Sequence, residues 1–371
     1  MATHNPHNER IKRRYFAFIK EARRQSEDSV SAVAKALARF EADNRYRDFK
    51  TFHFEQAVAF KRRLADRESQ VTGEKLSKAT LHATLAHLKR FFQWLSDQPG
   101  YKSRLQYSDA EYFNLSEKDA RVATARRERP APTLEQIKHV IASMPGRTGI
   151  QQRDRALIAF AILTGARDSA LASMKLKHVD LADNSVFQDA REVKTKFSKS
   201  FTTYFFPVGE DFRAIVEAWV SYLRTDQLWG NDDPLFPVTK VGLGATQQFE
   251  AIGLKREHWS TASPIRDAFR QAFESAGLPY YNPHSFRTTL ARLAETTCKS
   301  PEEFKAWSQN LGHEGVLTTF YSYGSVGTRR QQEIIQGLGG AGRNPEANHP
   351  EALAAAVVQA MRDAGLVTGR V

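Results

Sequence analysis

The chain has 371 residues, too many for one ordinary hydrophobic core, and the length predicts two domains and a tail. Its 54 Lys and Arg against 42 Asp and Glu leave a net charge of +12, which favours a polyanionic partner because neutralised phosphates release counterions. The single cysteine, Cys298, excludes an intramolecular disulfide and a cysteine-rich metal site, and no run of about 18 apolar residues offers a membrane span, so a soluble, cytoplasmic protein is expected.

From Ile11 to about Ser96, apolar residues recur at helical spacing: Tyr15, Phe18 and Ile19, then Val30, Val33, Ala34 and Leu37, then Leu81, Leu85, Leu88 and Phe92. Ser77 and Thr80 offer N-cap hydroxyls for the last of these helices, and Gln98-Pro-Gly100 stops it. Arg13, Arg14, Arg23, Arg24, Lys61, Arg62 and Arg63 interleave with the apolar positions, as either a solvated face or a DNA-contacting one. A helical domain over residues 1–117 is therefore predicted, followed by a basic linker over 118–131 that carries Lys118, Arg121, Arg126, Arg127 and Arg129 without an apolar period.

Thr133-Leu-Glu-Gln136 has the spacing of a capping box and opens a second domain, predicted over 132–338. Arg155 to Leu163 reads as an apolar helix, Ala182-Asp-Asn184 as a turn, and Ser185 to Ala190 and Ser200 to Val208 as strands around the turn-like Lys196-Phe-Ser-Lys199. Helices return from Pro264. Residues 339–371 read as a tail with a terminal helix beginning near Pro350. The expected fold is mainly α (α+β), a helical domain followed by a mostly helical one with a small antiparallel sheet.

The chemistry lies in an ordered set of short motifs. Thr164-Gly-Ala-Arg167 comes first, then Asn282-Pro-His284-Ser-Phe-Arg287, then Leu311-Gly-His313, and finally Tyr321 and Tyr323. Two arginines and two histidines suit the grip and neutralisation of a phosphodiester, and a phenol can attack its phosphorus without metal or nucleotide. Forked guanidinium groups stabilise extra charge on the non-bridging oxygens better than ammonium groups do. His284 and Arg287, three residues apart, share a face on one helical turn, and Pro283 helps start that helix. No Gly-x-x-x-x-Gly-Lys loop, no His-Glu-x-x-His and no set of carboxylates or histidines at metal-ligand spacing is present.

At these residues, in this order, the chain resembles the tyrosine recombinases, also called phage-type integrases. The resemblance implies a catalytic set of Arg167, Lys196, His284, Arg287, His313 and Tyr323, with no cofactor and no metal. In that family the second histidine bonds a phosphate oxygen, the first assists proton transfer or orients the nucleophile, and a hairpin lysine protonates the leaving 5′ oxygen. Lys194, Lys196 and Lys199 are all candidates for that lysine, and the Lys-x-x-Lys turn favours Lys196. The commonest family spacing would place the nucleophile at Ser322, which Tyr321 and Tyr323 straddle, and the Thr-Thr-Phe-x-Ser-Tyr-Gly pattern ending at Gly324 favours Tyr323. Many members carry an acidic residue three positions after the first arginine. Here Ala170 stands there, and adjacent Asp168 is the candidate substitute.

The implied reaction is a transesterification through a 3′-phosphotyrosyl link with a free 5′-hydroxyl, needing no ATP because bond energy is conserved. The resemblance also implies that residues 1–117 are a DNA-clamping domain and 132–338 the catalytic domain, and the expected partners are double-stranded DNA, further copies of the chain as a homo-tetramer on two DNA sites, and accessory DNA-bending proteins. The expected context is a mobile element, with the protein near the nucleoid. Two competing readings are a relaxing type IB topoisomerase and a DNA-binding accessory protein without catalysis. Strand exchange, relaxation of one circle, or binding without nicking separates the three.

Overall fold

The structure is a computed structural model and describes residues 4–68, 73–125, 130–195, 199–243 and 247–313. The chain forms two compact units that divide between Arg126 and Arg127. It is mostly helical, with small antiparallel sheets.

The first unit is built from α1 (Pro6–Ala17), α2 (Glu27–Asp43), α3 (Phe54–Asp66), α4 (Lys78–Ser96) and α5 (Glu117–Thr124). Side-chain oxygens of Asn5, Ser26, Ser77 and Ser116 accept from first-turn N–H groups of α1, α2, α4 and α5, each cap contributing about 1 kcal/mol. The predicted stripe of α4 is the buried one: Leu81, Leu85, Leu88 and Phe92 all face the core. That core is aromatic, with the Phe40 ring against Phe60 and Phe92 at 5.2 Å and Phe52 stacked on Phe92 at 3.8 Å. One polar group is enclosed. Asn8 is fully buried, donates to Glu41 and to Arg47 O, and accepts from Phe49 N–H, so its amide is satisfied while it joins α1 to α2 and to the following turn.

The linker expectation needs correction. Residues 117–124 form α5, started by Ser116 Oγ accepting from Asp119 N–H and tied to α4 by the Lys78–Asp119 ion pair at 2.7 Å. No residue of α5 is buried, so it has no apolar period to read. Arg126, Arg127 and Arg129 lie outside the described residues. Two of the basic positions in this unit have structural uses. Arg63 pairs with Asp43, and Lys61 donates to Tyr112 O and Asn114 O.

The second unit opens with α6 (Leu134–Ser143), where Thr133 and Gln136 form the capping box. Its axis is α7 (Gly149–Thr164), buried on every face from Ala156 to Thr164, as a helix at the centre of a core must be. Then come α8 (Asp168–Leu171), strands β1 (Val179–Asp180), β2 (Ser185–Gln188) and β3 (Phe201–Tyr204), and α9 (Glu210–Ser221). The strands pair antiparallel in the order β1-β2-β3, with Val186 opposite Thr203. The strand expected to reach Val208 stops at Tyr204. There Phe205 N–H turns to Asn184 O and Phe206 N–H to Leu163 O, and the Phe206 side chain enters the core beside Trp307.

A second hairpin, β4 (Val238–Leu243) with β5 (Phe249–Lys255), has no counterpart in the sequence reading. Val241, Leu243 and Phe249 are exposed, so its residues lack the in-out alternation that marks a strand. Its root is held by Arg153, which donates to Pro237 O and to Thr239 Oγ1. Helices α10 (Ser263–Ser275), α11 (Pro283–Thr297) and α12 (Pro301–Asn310) complete the described unit. Trp307 Nε1 donates to Leu290 O and fixes α12 on α11. Residues 314–371, which include the expected terminal helix, lie outside the described residues.

Candidate active site

Three turns that are distant in sequence meet at one guanidinium. The first ends α7. Thr164 Oγ1 donates to Phe160 O and accepts from Ala166 N–H, and Gly165 turns left-handed at φ +59°. A Cβ on Gly165 would lie 2.9 Å from Leu311 and 3.1 Å from Leu290, so the glycine answers a close approach as well as a backbone angle. The chain then becomes extended at Arg167, the N-cap of α8, whose side chain is half-buried.

The second turn starts α11. Asn282 Oδ1 accepts from Ser285 N–H, Pro283 occupies the first helical position, and one turn later Arg287 lies 2 % exposed. Arg287 Nη1 donates to Gly165 O, and Nη2 donates to Leu311 O at 2.5 Å and to His313 Nε2 at 3.0 Å. These contacts fix the orientation of the guanidinium. Because Nε2 of His313 accepts, its ring proton resides on Nδ1 in this arrangement. His284 shares the helical turn with Arg287 but is exposed where Arg287 is buried.

The third turn follows α12. Leu311 is fully buried, and Gly312 takes φ +69° with its Cα against the Phe201 ring, where a Cβ would stand 2.7 Å from a ring carbon. The preceding residue, Asn310, grips β3. Its Oδ1 accepts from Tyr204 N–H at 2.7 Å, and its Nδ2 donates to Tyr204 O at 2.8 Å.

The β2–β3 hairpin borders this cluster. Lys194 N–H donates to Ser173 Oγ, and Ser169 Oγ donates to Lys194 O, so the approach to the turn is clamped on α8 and the residues that follow it, close after Arg167. Lys194 Nζ reaches Ser260 O at 3.5 Å, and Lys199 is exposed. Ala190 N–H donates to Ser200 Oγ and closes the far side of the turn. Lys196 itself lies outside the described residues, as do Tyr321 and Tyr323. The structure therefore brings together Arg287, His313 and the Gly165 turn that leads into Arg167, with His284 on the adjoining surface.

Asp168, next to Arg167, is engaged at both carboxylate oxygens. Its Oδ1 accepts from Ser169 N–H, while its Oδ2 accepts from Arg266 Nε at 2.7 Å, which ties α8 to α10. Nearby, burial pushes His258 below its ordinary range, with the Lys175 charge acting in the same direction. Farther along the sheet, the hydrogen bond from Arg191 holds the Asp189 carboxyl down at about 2. Among the described residues no cluster of His, Cys, Asp and Glu is set to hold a metal ion, and no helix is long and apolar enough to cross a membrane. The sequence reading missed Asn310, Ser169, Ser173 and Arg266. Their partners are main-chain atoms or residues far away in the chain, and the only local signal is that Asn310 adjoins Leu311-Gly-His313.

The model of the phage integrase family matches residues 133–325. Tyrosine recombinase XerC of Lactobacillus leichmannii is 24% identical over 259 residues, covering 67% of this chain and 72% of that protein. A tyrosine recombinase XerC of Lactobacillus delbrueckii subsp. bulgaricus is 23% identical over 254 residues with the same coverage. Among solved structures, a lambda integrase fragment, a dimer bound to a COC′ core site, superposes with a TM-score of 0.58 at 14% identity, covering 86% of this chain and 96% of that one. The Tn1549 transposon integrase in complex with transposon right end DNA gives a TM-score of 0.53 at 14% identity, covering 89% and 99%.

Proposed function

The chain belongs to the phage integrase family, and from that premise we propose that it is a site-specific DNA recombinase that cuts and rejoins DNA through a 3′-phosphotyrosyl intermediate in the service of a mobile element. The observation that carries this reading is the Arg287 guanidinium, which joins the Gly165 turn, Leu311 O and His313 in one constellation. Residues that are 122 positions apart in the chain converge there on a group suited to a phosphate.

In the proposed reaction the Tyr323 phenol attacks the scissile phosphorus. A P–O bond forms to the phenol oxygen as the bond to the 5′ oxygen breaks. Arg167, Arg287 and His313 stabilise the charge that gathers on the non-bridging oxygens, the role in which preorganised donors act most strongly. His284 assists transfer of the phenol proton, and Lys196 protonates the leaving 5′ oxygen. The freed 5′-hydroxyl then attacks a phosphotyrosyl link on a partner strand, which exchanges the ends and restores the phenol. Two DNA sites and four copies of the chain complete the scheme. The lambda integrase and Tn1549 integrase structures bound to DNA support the fold that this scheme requires.

The test is covalent capture on a nicked suicide DNA. Tyr323→Phe removes one oxygen and should abolish capture while binding persists. Capture by Tyr323→Phe but not by Tyr321→Phe would move the nucleophile to Tyr321. Strand exchange between two sites, as against relaxation of a single supercoiled circle, separates recombinase from topoisomerase.

A further inference from the structure

In the sheet ordered β1-β2-β3, β3 lies at an edge, and its outer side presents main-chain groups that a fourth strand would fill. At Tyr204 one side chain takes the place of that strand. The carboxamide of Asn310 accepts from Tyr204 N–H and donates to Tyr204 O, at 2.7 and 2.8 Å. This is the reciprocal exchange that two opposed residues make in an antiparallel ladder. Among polar side chains of this length, only asparagine carries a donor and an acceptor on one planar group, since aspartate lacks the donor.

The junction has further members on both sides. Thr203 is fully buried, donates its hydroxyl to Asn310 O at 3.1 Å and accepts from Gln188 Nε2 at 3.3 Å, so a chain of bonds runs from β2 through β3 to the end of α12. Phe201 packs its ring against Gly312. Thus Phe201, Thr203 and Tyr204 engage Asn310 and Gly312 on either side of Leu311, whose carbonyl accepts from Arg287. A simple edge cover could have been placed anywhere along β3. This one is built from the residue that enters the turn bearing His313.

We infer that Asn310 is a positioning residue: it fixes the place of β3, and with it the ends of the hairpin connection at Lys194 and Lys199, against the phosphate-holding pair Arg287 and His313. The inference rests on the DNA-cleavage reading given above. A proton donor acts only within hydrogen-bond reach of the leaving oxygen, so a shift of β3 along the Leu311-Gly-His313 turn carries the donor away while leaving the phosphate grip in place.

The experiment compares single-turnover covalent capture on ordinary suicide DNA with capture on DNA carrying a 5′-bridging phosphorothiolate, whose sulfur leaves without needing a proton. Asn310→Ala and the near-isosteric Thr203→Val break the junction from its two sides. Each should slow cleavage of ordinary DNA by roughly ten- to a hundredfold, the scale of a misplacement near 1 Å. The phosphorothiolate should be cut at close to the wild-type rate, with DNA affinity unchanged. Equal slowing on both substrates would overturn the inference, because the junction would then serve the phosphate grip or stability alone. Unimpaired cleavage of ordinary DNA by both variants would overturn it as well. If Asn310→Ala does not fold, Thr203→Val decides alone. A wild-type chain that captures neither DNA would sink the cleavage reading and this inference with it, whereas failure of the inference alone appears only in a wild type that captures both.

Discussion

At Gly312 the backbone holds φ at +69° while the Phe201 ring occupies the place a Cβ would need. Alanine there meets a left-handed backbone cost and an overpacked contact together, and Gly312→Ala should destabilise the second unit by roughly 2–4 kcal/mol. Thermal or denaturant unfolding reads this directly. Adding Phe201→Ala should recover the packing part and leave the backbone part, so full recovery in the double variant would mean that φ carries no cost. Arg287 poses a different problem, since a lysine keeps the charge but cannot hold Gly165 O, Leu311 O and His313 at once. Arg287→Lys should lower the single-turnover cleavage rate by at least about a hundredfold. Near-normal cleavage would show that the guanidinium is a structural clasp only. The sequence made Arg287 visible through its spacing from His284, but not its burial or its carbonyl partners, because main-chain acceptors leave no trace in residue identity. Asn310 stayed hidden for the same reason.

Among the elements, legibility followed burial. Helices α4 and α7 carry apolar residues wherever they meet a core, and the sequence shows both. Helix α5 buries nothing and rests on a cap and an ion pair, so a charged run concealed it. The β4–β5 hairpin keeps Val241, Leu243 and Phe249 exposed and gives no alternation to read. In the β2–β3 hairpin the strands were legible, but the clamps of Ser169 and Ser173 on Lys194 were not. Those clamps bear on the choice of lysine. Lys194 has its main chain pinned to α8 and the residues that follow it, and its Nζ turned to Ser260 O, so Lys194→Ala should mainly weaken DNA binding. Lys196→Ala should instead stop cleavage of ordinary DNA and be rescued by the 5′-bridging phosphorothiolate. Rescue confined to Lys194→Ala or Lys199→Ala would transfer the general-acid role.

For the molecule as a whole, the net charge of +12 is the first property a DNA duplex meets. Lys118, Arg121, Arg126, Arg127 and Arg129 lie where the two units divide in sequence. Replacing several with glutamine should weaken binding to all sequences alike and flatten the slope of log K against log salt by about 0.9 for each phosphate no longer neutralised. Target preference should survive, because groups that touch only the phosphate backbone position a protein without reading bases. A slope that does not change would reduce this stretch to a tether. The span between Gly165 and Arg287, 122 residues, also governs the timing of assembly. Contacts between segments so far apart close late, since the loop entropy must be met before any bond rewards it. During synthesis the first unit emerges and folds well before Arg287 and Leu311 exist to be joined. A growing chain therefore acquires its aromatic-cored first unit long before Arg287 can close on the Gly165 and Leu311 turns.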